Sequence, residues 1–148
     1  MRPAVAWAFY DWANSAFATT VMAGFFPVFF KQYWSTGTDA TVSTFQLGVA
    51  NSLASICVAL CAPVLGAMAD RGSNKKTFLL AFATLGIMMT GGLYGVAQGA
   101  WPLAIGLFVL AAIGFSGSNI FYDALLVNVA DIGHRHTVSA FGFALGYL

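Results

Sequence analysis

Charged side chains are scarce in this chain of 148 residues. Charged residues make up only 7% of the sequence, and glutamate is absent. An average soluble domain has about 25% charged residues, so the composition excludes a soluble fold. The formal net charge is only +1. This leaves no broad basic surface, and nucleic acid is therefore excluded as a partner.

Cysteine and histidine are also rare, which limits the chemistry open to the chain. Cys57 and Cys61 lie inside one apolar run, where they are expected to pack as free thiols. His134 and His136 have no neighbouring cluster in the sequence that would complete a metal site. Segment 114–118 approaches a serine-hydrolase elbow but lacks its final glycine. We therefore predict no cofactor, no metal and no enzymatic activity.

Long uncharged runs are the main positive signal. Residues 12–30, 40–69 and 77–122 carry no charge, and about 20 helical residues cross a bilayer core. The third run is long enough for two crossings. We predict an all-α membrane protein with transmembrane helices at about 4–30, 45–69, 77–97 and 103–129, and the start of a fifth at 138–148.

The fifth predicted helix is too short to span a bilayer. We therefore expect residues 1–148 to form a partial N-terminal transmembrane bundle of a longer protein. Its C-terminal half would be the missing partner of this bundle. Asp11 and Asn14 interrupt the first apolar stretch, which argues against a cleaved signal peptide.

The cations predict the orientation in the lipid bilayer. If the N-terminus is cytoplasmic, one side holds all but one of the lysines and arginines, namely Arg2, Arg71, Lys75, Lys76 and Arg135. The other side holds only Lys31, as the positive-inside rule requires. We expect an integral multi-pass protein of the bacterial inner membrane.

Small side chains recur along one face of the second predicted helix. The members of this small-residue seam are Gly48, Ser52, Ser55, Ala59, Ala62 and Gly66. Membrane helices associate through close packing of small residues, so we expect a second helix to lie along the seam. Gly142 and Gly146 offer a similar contact at the start of the fifth helix.

Asp11 is the first candidate for a functional residue. An aspartate at the centre of a membrane helix costs about 2.5 to 3.5 kcal/mol on insertion scales, so it should have a partner or face a cavity. Asn14 continues its face, and Tyr10 precedes it. Asp123 repeats the Phe-Tyr-Asp triplet at a similar predicted depth. These four residues are either part of a substrate or proton pathway, or hydrogen-bonding residues near the helix ends.

The loop after the second predicted helix carries the most specific pattern. This loop resembles the signature loop of the major facilitator superfamily, which it matches at Gly66, Asp70, Arg71 and Lys75. Ser73 and Asn74 of this chain depart from that signature. The resemblance implies a gating role for the four matching residues.

Two further stretches, residues 10–17 and 121–126, together with 138–148, resemble the vacuole-effluxer-like branch of that superfamily. The resemblance implies a major facilitator fold of about twelve helices, of which residues 1–148 form the N-terminal part. It also implies a secondary transporter that exports an amino acid or similar metabolite by alternating access, either with or without coupling to protons. The alternative is a membrane subunit or enzyme whose helices only scaffold or anchor.

Overall fold

Helices are the only regular secondary structure, with no strand, in the part of the chain that the computed structural model describes, residues 2–72, 74–130 and 132–146. Four stretches are long and apolar enough to cross a membrane: Pro3–Trp34, Ala40–Arg71, Lys75–Gly95 and Trp101–Val129. The predicted all-α membrane fold is therefore confirmed. A further helix, α6 (Arg135–Gly146), follows the fourth span.

The first span changes its helical pitch along its length. Its segments are α1 (Arg2–Ala16), a π-helical segment (Phe17–Phe25), α2 (Phe26–Phe29) and a second π-helical segment (Phe30–Trp34). A π-helix pairs an N–H with the carbonyl five residues before it, as Ser35 does with Phe30 at 2.8 Å. Residues three or four positions apart share one face of α1. This relation ends at Ala16, where the wider π-helical turns begin.

The second span, α3 (Ala40–Arg71), begins before the predicted start near Phe45 because Asp39 caps it. The Thr41 N–H donates to Asp39 Oδ1 at 2.7 Å, which satisfies one of the free donors of the first turn. The same hydrogen bond holds the pKa of the Asp39 carboxyl below its usual value. Pro63 lies within α3, as membrane helices allow.

The remaining spans begin at the loops predicted from the sequence pattern. The third is α4 (Lys75–Gly92), which ends in a short 3-10 turn (Leu93–Gly95). The fourth is α5 (Trp101–Val129), and Pro102 in its first turn has no N–H to leave unpaired.

The α5 helix is the centre of the bundle. It packs along α4 and α3 and also contacts α1 and α6. In the most apolar stretch of α5, 39% of the residues are buried. The corresponding share is 11% in each of the other three spans. Its inward residues are mostly small, which lets several helices approach one axis. The buried small residues are Ala104, Ala111, Ala112, Gly114, Gly117 and Ser118.

The α4 and α5 backbones touch where two glycines meet. A Cβ built on Gly114 would lie 2.5 Å from the backbone nitrogen of Gly86 and 2.8 Å from the carbonyl oxygen of Phe82. Real Cβ atoms do not approach backbone atoms so closely, so the crossing depends on the missing side chain at Gly114.

Most of the small-residue seam on α3 is exposed within the described residues, and only Ala62 and Gly66 are half-buried. The buried residues of α3 are instead Ser43, Ala50, Ala54 and Ala69, and Ala50 packs in one cluster with Ala104, Ile105 and Phe108 of α5. Gly48 and Ser52 are exposed, and a Cβ built on Gly48 would meet nothing within 4 Å. Contact of the seam with a second helix therefore stays a prediction, because a spacing identifies a smooth face but not what covers it.

Candidate functional site

Two of the predicted pathway residues line one cavity. Tyr10 and Asn14 border a space of about 400 Å³ between the first span, α4 and α5. Phe17, Ile87 and Phe115 contribute apolar walls, and the lining residues include no charged side chain. Such a cavity, with a few polar groups in apolar walls, has the composition of a small-molecule site.

A hydrogen bond between two amides joins the first span to α5 beside this cavity. Asn14 Nδ2 donates to Asn119 Oδ1. The sequence pattern pointed to Asn14 but not to this pairing, because the crossing that brings the two amides together is tertiary. The bond satisfies one donor and one acceptor that would otherwise face hydrocarbon.

Breaking this amide pair is expected to destabilise the bundle modestly. Asn14→Leu should cost about 0.6 kcal/mol and at most about 1.7 kcal/mol, the range measured for hydrogen bonds between membrane helices. The Asn14→Leu/Asn119→Leu double variant should cost less than the sum of the single variants, because neither amide is then left unpaired. Unfolding of the full-length protein in mixed micelles measures the cycle, and additive single effects would contradict it.

Asp11 points away from that cavity, towards α6. A Cβ built on Gly146 would lie 2.9 Å from Ser15 Oγ and 3.2 Å from Asp11 Oδ2. Ser15 and Gly146 also border a second cavity of about 260 Å³, together with Trp12. The Asp11 side chain is half-buried, and it has no hydrogen-bond or cationic partner among the side chains that the structure describes, those of residues 3–72, 74–130 and 133–146.

Asp123 is exposed on α5. It lies close enough to Asp11 for the two negative charges to repel each other. Neither carboxylate has a compensating cation among the residues with a described placement. The structure therefore separates the four candidates into a cavity pair, Tyr10 and Asn14, and a carboxylate pair, Asp11 and Asp123.

An aromatic stack between these two pairs was not predicted. The Trp7 ring stacks on Tyr122 with centroids 4.2 Å apart, and Tyr10 stacks on Tyr122 at 5.1 Å. Trp7 Nε1 also donates to the Tyr122 carbonyl at 3.0 Å. Gly142 permits this packing, since a Cβ there would lie 2.6 Å from Trp7 Cζ3. The repeated Phe-Tyr-Asp triplet was the only signal in the sequence.

Among the described residues of the predicted gating loop, Lys75 hydrogen-bonds to the last part of α5. Lys75 Nζ donates to the Ala124 carbonyl at 3.0 Å, where the end of α5 has a partial negative charge. Asp70 and Arg71 are exposed, and a Cβ on Gly66 would meet nothing within 4 Å. Ser73 lies outside the described residues.

Metal chemistry has no support among the placed residues. No group of three or more histidine, cysteine or acidic side chains comes together in the described ranges. Cys57 and Cys61 are free thiols.

Comparison with known proteins identifies the family. The model of the family described as vacuole effluxer Atg22 like matches residues 35–136. A Bacillus subtilis protein with the name uncharacterized MFS-type transporter YxiO is 39% identical over 143 residues, which cover 96% of this chain and 33% of that protein.

A second relative, an uncharacterized protein of Aquifex aeolicus, is 27% identical over 144 residues, 97% of this chain and 35% of that protein. The chain thus spans about a third of the length of these two relatives. No solved structure matches it. The family match extends over more than half of the chain and agrees with the four apolar spans, so the chain belongs to the vacuole effluxer Atg22-like family of the major facilitator superfamily.

Proposed function

We propose that the full-length protein is a secondary active transporter that moves an amino acid or similar small metabolite by alternating access. The observation that carries this proposal is Asp11, a half-buried carboxylate within a membrane span that has no partner in the described part of the chain. Ionisable residues inside membrane spans are costly, and they mark substrate, ion or proton pathways.

The surroundings of Asp11 support a pathway more than a structural role. A structural aspartate would accept hydrogen bonds from neighbouring helices, yet Asp11 accepts none from the described residues. Open space lies beside it in the cavity that Ser15 and Gly146 border. We infer that Asp11 gains its partner during transport, as a proton or as part of the solute.

Alternating access requires the bundle to move against the rest of the protein. The exposed small-residue seam of α3 is available for close contact with helices outside these 148 residues. The hydrogen bond from Lys75 to the Ala124 carbonyl of α5 supports a gate made by Gly66, Asp70, Arg71 and Lys75. Breaking that contact would release the loop from α5.

The orientation we propose has the N-terminus in the cytoplasm of a bacterial cell. Lys75 donates to Ala124 and Arg135 donates to Ala130, so these two cations lie at the same end of α5. This is the end that the positive-inside rule assigns to the cytoplasm.

Transport by the full-length protein in liposomes tests the proposal. Liposomes that contain the protein and a mixture of labelled amino acids are compared with protein-free liposomes, once with and once without a pH gradient. The protein should speed the release of at least one amino acid under at least one of these two conditions. Release of no solute from the panel under either condition would contradict the transporter and favour a scaffold protein.

A further inference from the structure

The first span takes part in two separate packing groups. Its outer part packs on α5 and on the turn after α4, because the Phe26 ring stacks on Phe108 with centroids 3.9 Å apart and Trp34 Nε1 donates to the Val96 carbonyl at 3.3 Å. Its first part, α1, packs mainly on α6, and α6 has few contacts with α5. The described bundle therefore divides into the α1–α6 pair and a central group, which consists of α3, α4, α5 and residues 26–34.

The π-helical segment Phe17–Phe25 connects these two groups. None of the residues from Phe9 to Phe25 is buried, whereas Ala8 and Phe26 on either side are fully buried. The two cavities of about 400 and 260 Å³ border this part of the span. The residues that line both cavities are Ala13, Ala16 and Thr20. The connection between the two groups is therefore loosely packed and has open space on more than one side.

Pro27 disfavours α-helical pitch at the end of this segment. The Phe26 N–H bonds to the Val21 carbonyl, five residues before it, and the Phe30 N–H bonds to the Phe26 carbonyl, four residues before it. Pro27 lies where the spacing changes. A proline inside an α-helix supplies no N–H, and its ring overlaps the carbonyl four residues before it. Continuous α-helical pitch through Pro27 is therefore unfavourable.

Gly24 is a second residue that suits the π-helical pitch. A Cβ on Gly24 would lie 3.3 Å from the carbonyl oxygen of Thr19, five residues before it, which is closer than most Cβ contacts. This oxygen belongs to the backbone of the same segment, so it can move away only if the turn changes its pitch. Alanine also has the highest α-helical propensity. An alanine at position 24 would therefore favour the α-helical form of the segment.

We propose that the π-helical segment Phe17–Phe25 is a hinge, and that its conversion to α-helical pitch turns the α1–α6 pair against the central group. The change from five-residue to four-residue hydrogen bonds puts fewer residues in each turn. It therefore rotates α1, with Asp11 and Asn14, relative to the anchored residues 26–34. The contacts that this motion rearranges are the stack of Trp7 on Tyr122 and the bond of Asn14 to Asn119.

The hinge gives alternating access a moving part inside the bundle. Helices with π-helical turns often carry functional sites, and hinges absorb a backbone change in a few residues. The use of this motion in transport rests on the proposed transport function. The motion itself is a property of the bundle, and it is measured without a solute.

Distances between spin labels on the full-length protein in detergent test the hinge without any transport step. All native cysteines are replaced, and labelled cysteines are introduced at exposed positions. The pair Val5 and Leu110 reports the position of α1 relative to α5. The pair Val42 and Val127 lies within the central group, on α3 and α5, and its distances should stay the same in every variant.

Two substitutions favour α-helical pitch by different means. Gly24→Ala adds the Cβ that lies close to the Thr19 carbonyl, and Pro27→Ala restores an N–H and removes the ring. Both should shift the distances between positions 5 and 110 in the same direction. The double variant should shift a larger share of the molecules than either single variant. Gly106→Ala is the matched control, because its Cβ would meet nothing within 4 Å, and it should match the wild type.

Three results would overturn the hinge. They are unchanged distances between positions 5 and 110 in both Gly24→Ala and Pro27→Ala, an equal shift in Gly106→Ala, and an equal shift between positions 42 and 127, which would indicate general loosening of the bundle. The hinge and the transport function fail separately. Unchanged distances in a protein that releases solute would reject the hinge alone, whereas the expected shift in a protein that releases no solute would reject transport alone.

Discussion

Replacing Gly114 by alanine is expected to destabilise the full-length protein by roughly 3 kcal/mol, the upper end of the range for overpacking. The added Cβ would lie 2.5 Å from the backbone nitrogen of Gly86 and 2.8 Å from its Cα. Backbone atoms of a neighbouring helix cannot rotate away as a side chain can. The α4 and α5 helices must therefore separate, and the packing around the central helix is lost. The midpoint of thermal unfolding measures the effect.

Two matched variants control for the general effect of alanine in a membrane helix. Gly106 lies on the same helix, and a Cβ there would meet nothing within 4 Å. Gly86 lies across the crossing, and its Cβ would come no closer than 3.5 Å to Phe115. Gly106→Ala and Gly86→Ala should both be close to the wild type in stability. Equal stability of all three variants would show that the crossing tolerates a methyl group at Gly114.

Solute flux through the full-length protein is expected to fall by roughly thirtyfold or more in Asp11→Asn. In the proposed cycle Asp11 gains a proton or a group of the solute as its partner. Losing one member of such a charge pair costs about 2 kcal/mol or more, which corresponds to that factor. Asparagine has nearly the same shape as aspartate but can neither release a proton nor balance a cation. The Asp11 side chain accepts no hydrogen bond from the described residues, so the loss of its charge should leave folding nearly unchanged.

The control for this flux measurement is Asp39→Asn, which should transport at the wild-type rate. Asp11→Glu is the conservative variant and should retain part of the flux, because the charge remains while the carboxylate moves by about one bond. Wild-type flux with its pH dependence unchanged in Asp11→Asn would refute a pathway role for this residue. Lost flux with a lower unfolding midpoint would instead point to a structural role.

The fold class was predictable because run length is a one-dimensional property. Lipid requires each crossing to satisfy its own backbone hydrogen bonds, so a long uncharged run must form a helix wherever it lies in the bundle. The four apolar spans of the structure correspond to the runs between the scarce charges. The pitch change after Ala16 was not predictable, since the same apolar residues suit α- and π-helical turns.

The candidate site was predictable only in part. Asp11 stood out because a carboxylate in a membrane helix is costly whatever its neighbours are. Its sequence neighbour Asn14 was assigned to the same face, yet Asn14 bonds to Asn119 while Asp11 faces Gly146. Residues three positions apart lie on the same side of an α-helix but are offset around its axis. The two side chains can therefore contact different neighbours.

The sequence by itself determined that this protein lies in a membrane, that it is helical, and where its charges interrupt the helices. Only the tertiary structure decided that α5 is the centre and that the small-residue seam of α3 is open in this part of the chain. It also decided that Tyr122 stacks on both Trp7 and Tyr10. The physical reason is that burial in lipid depends on the composition of each segment, whereas contacts between helices depend on shapes that meet from distant parts of the chain.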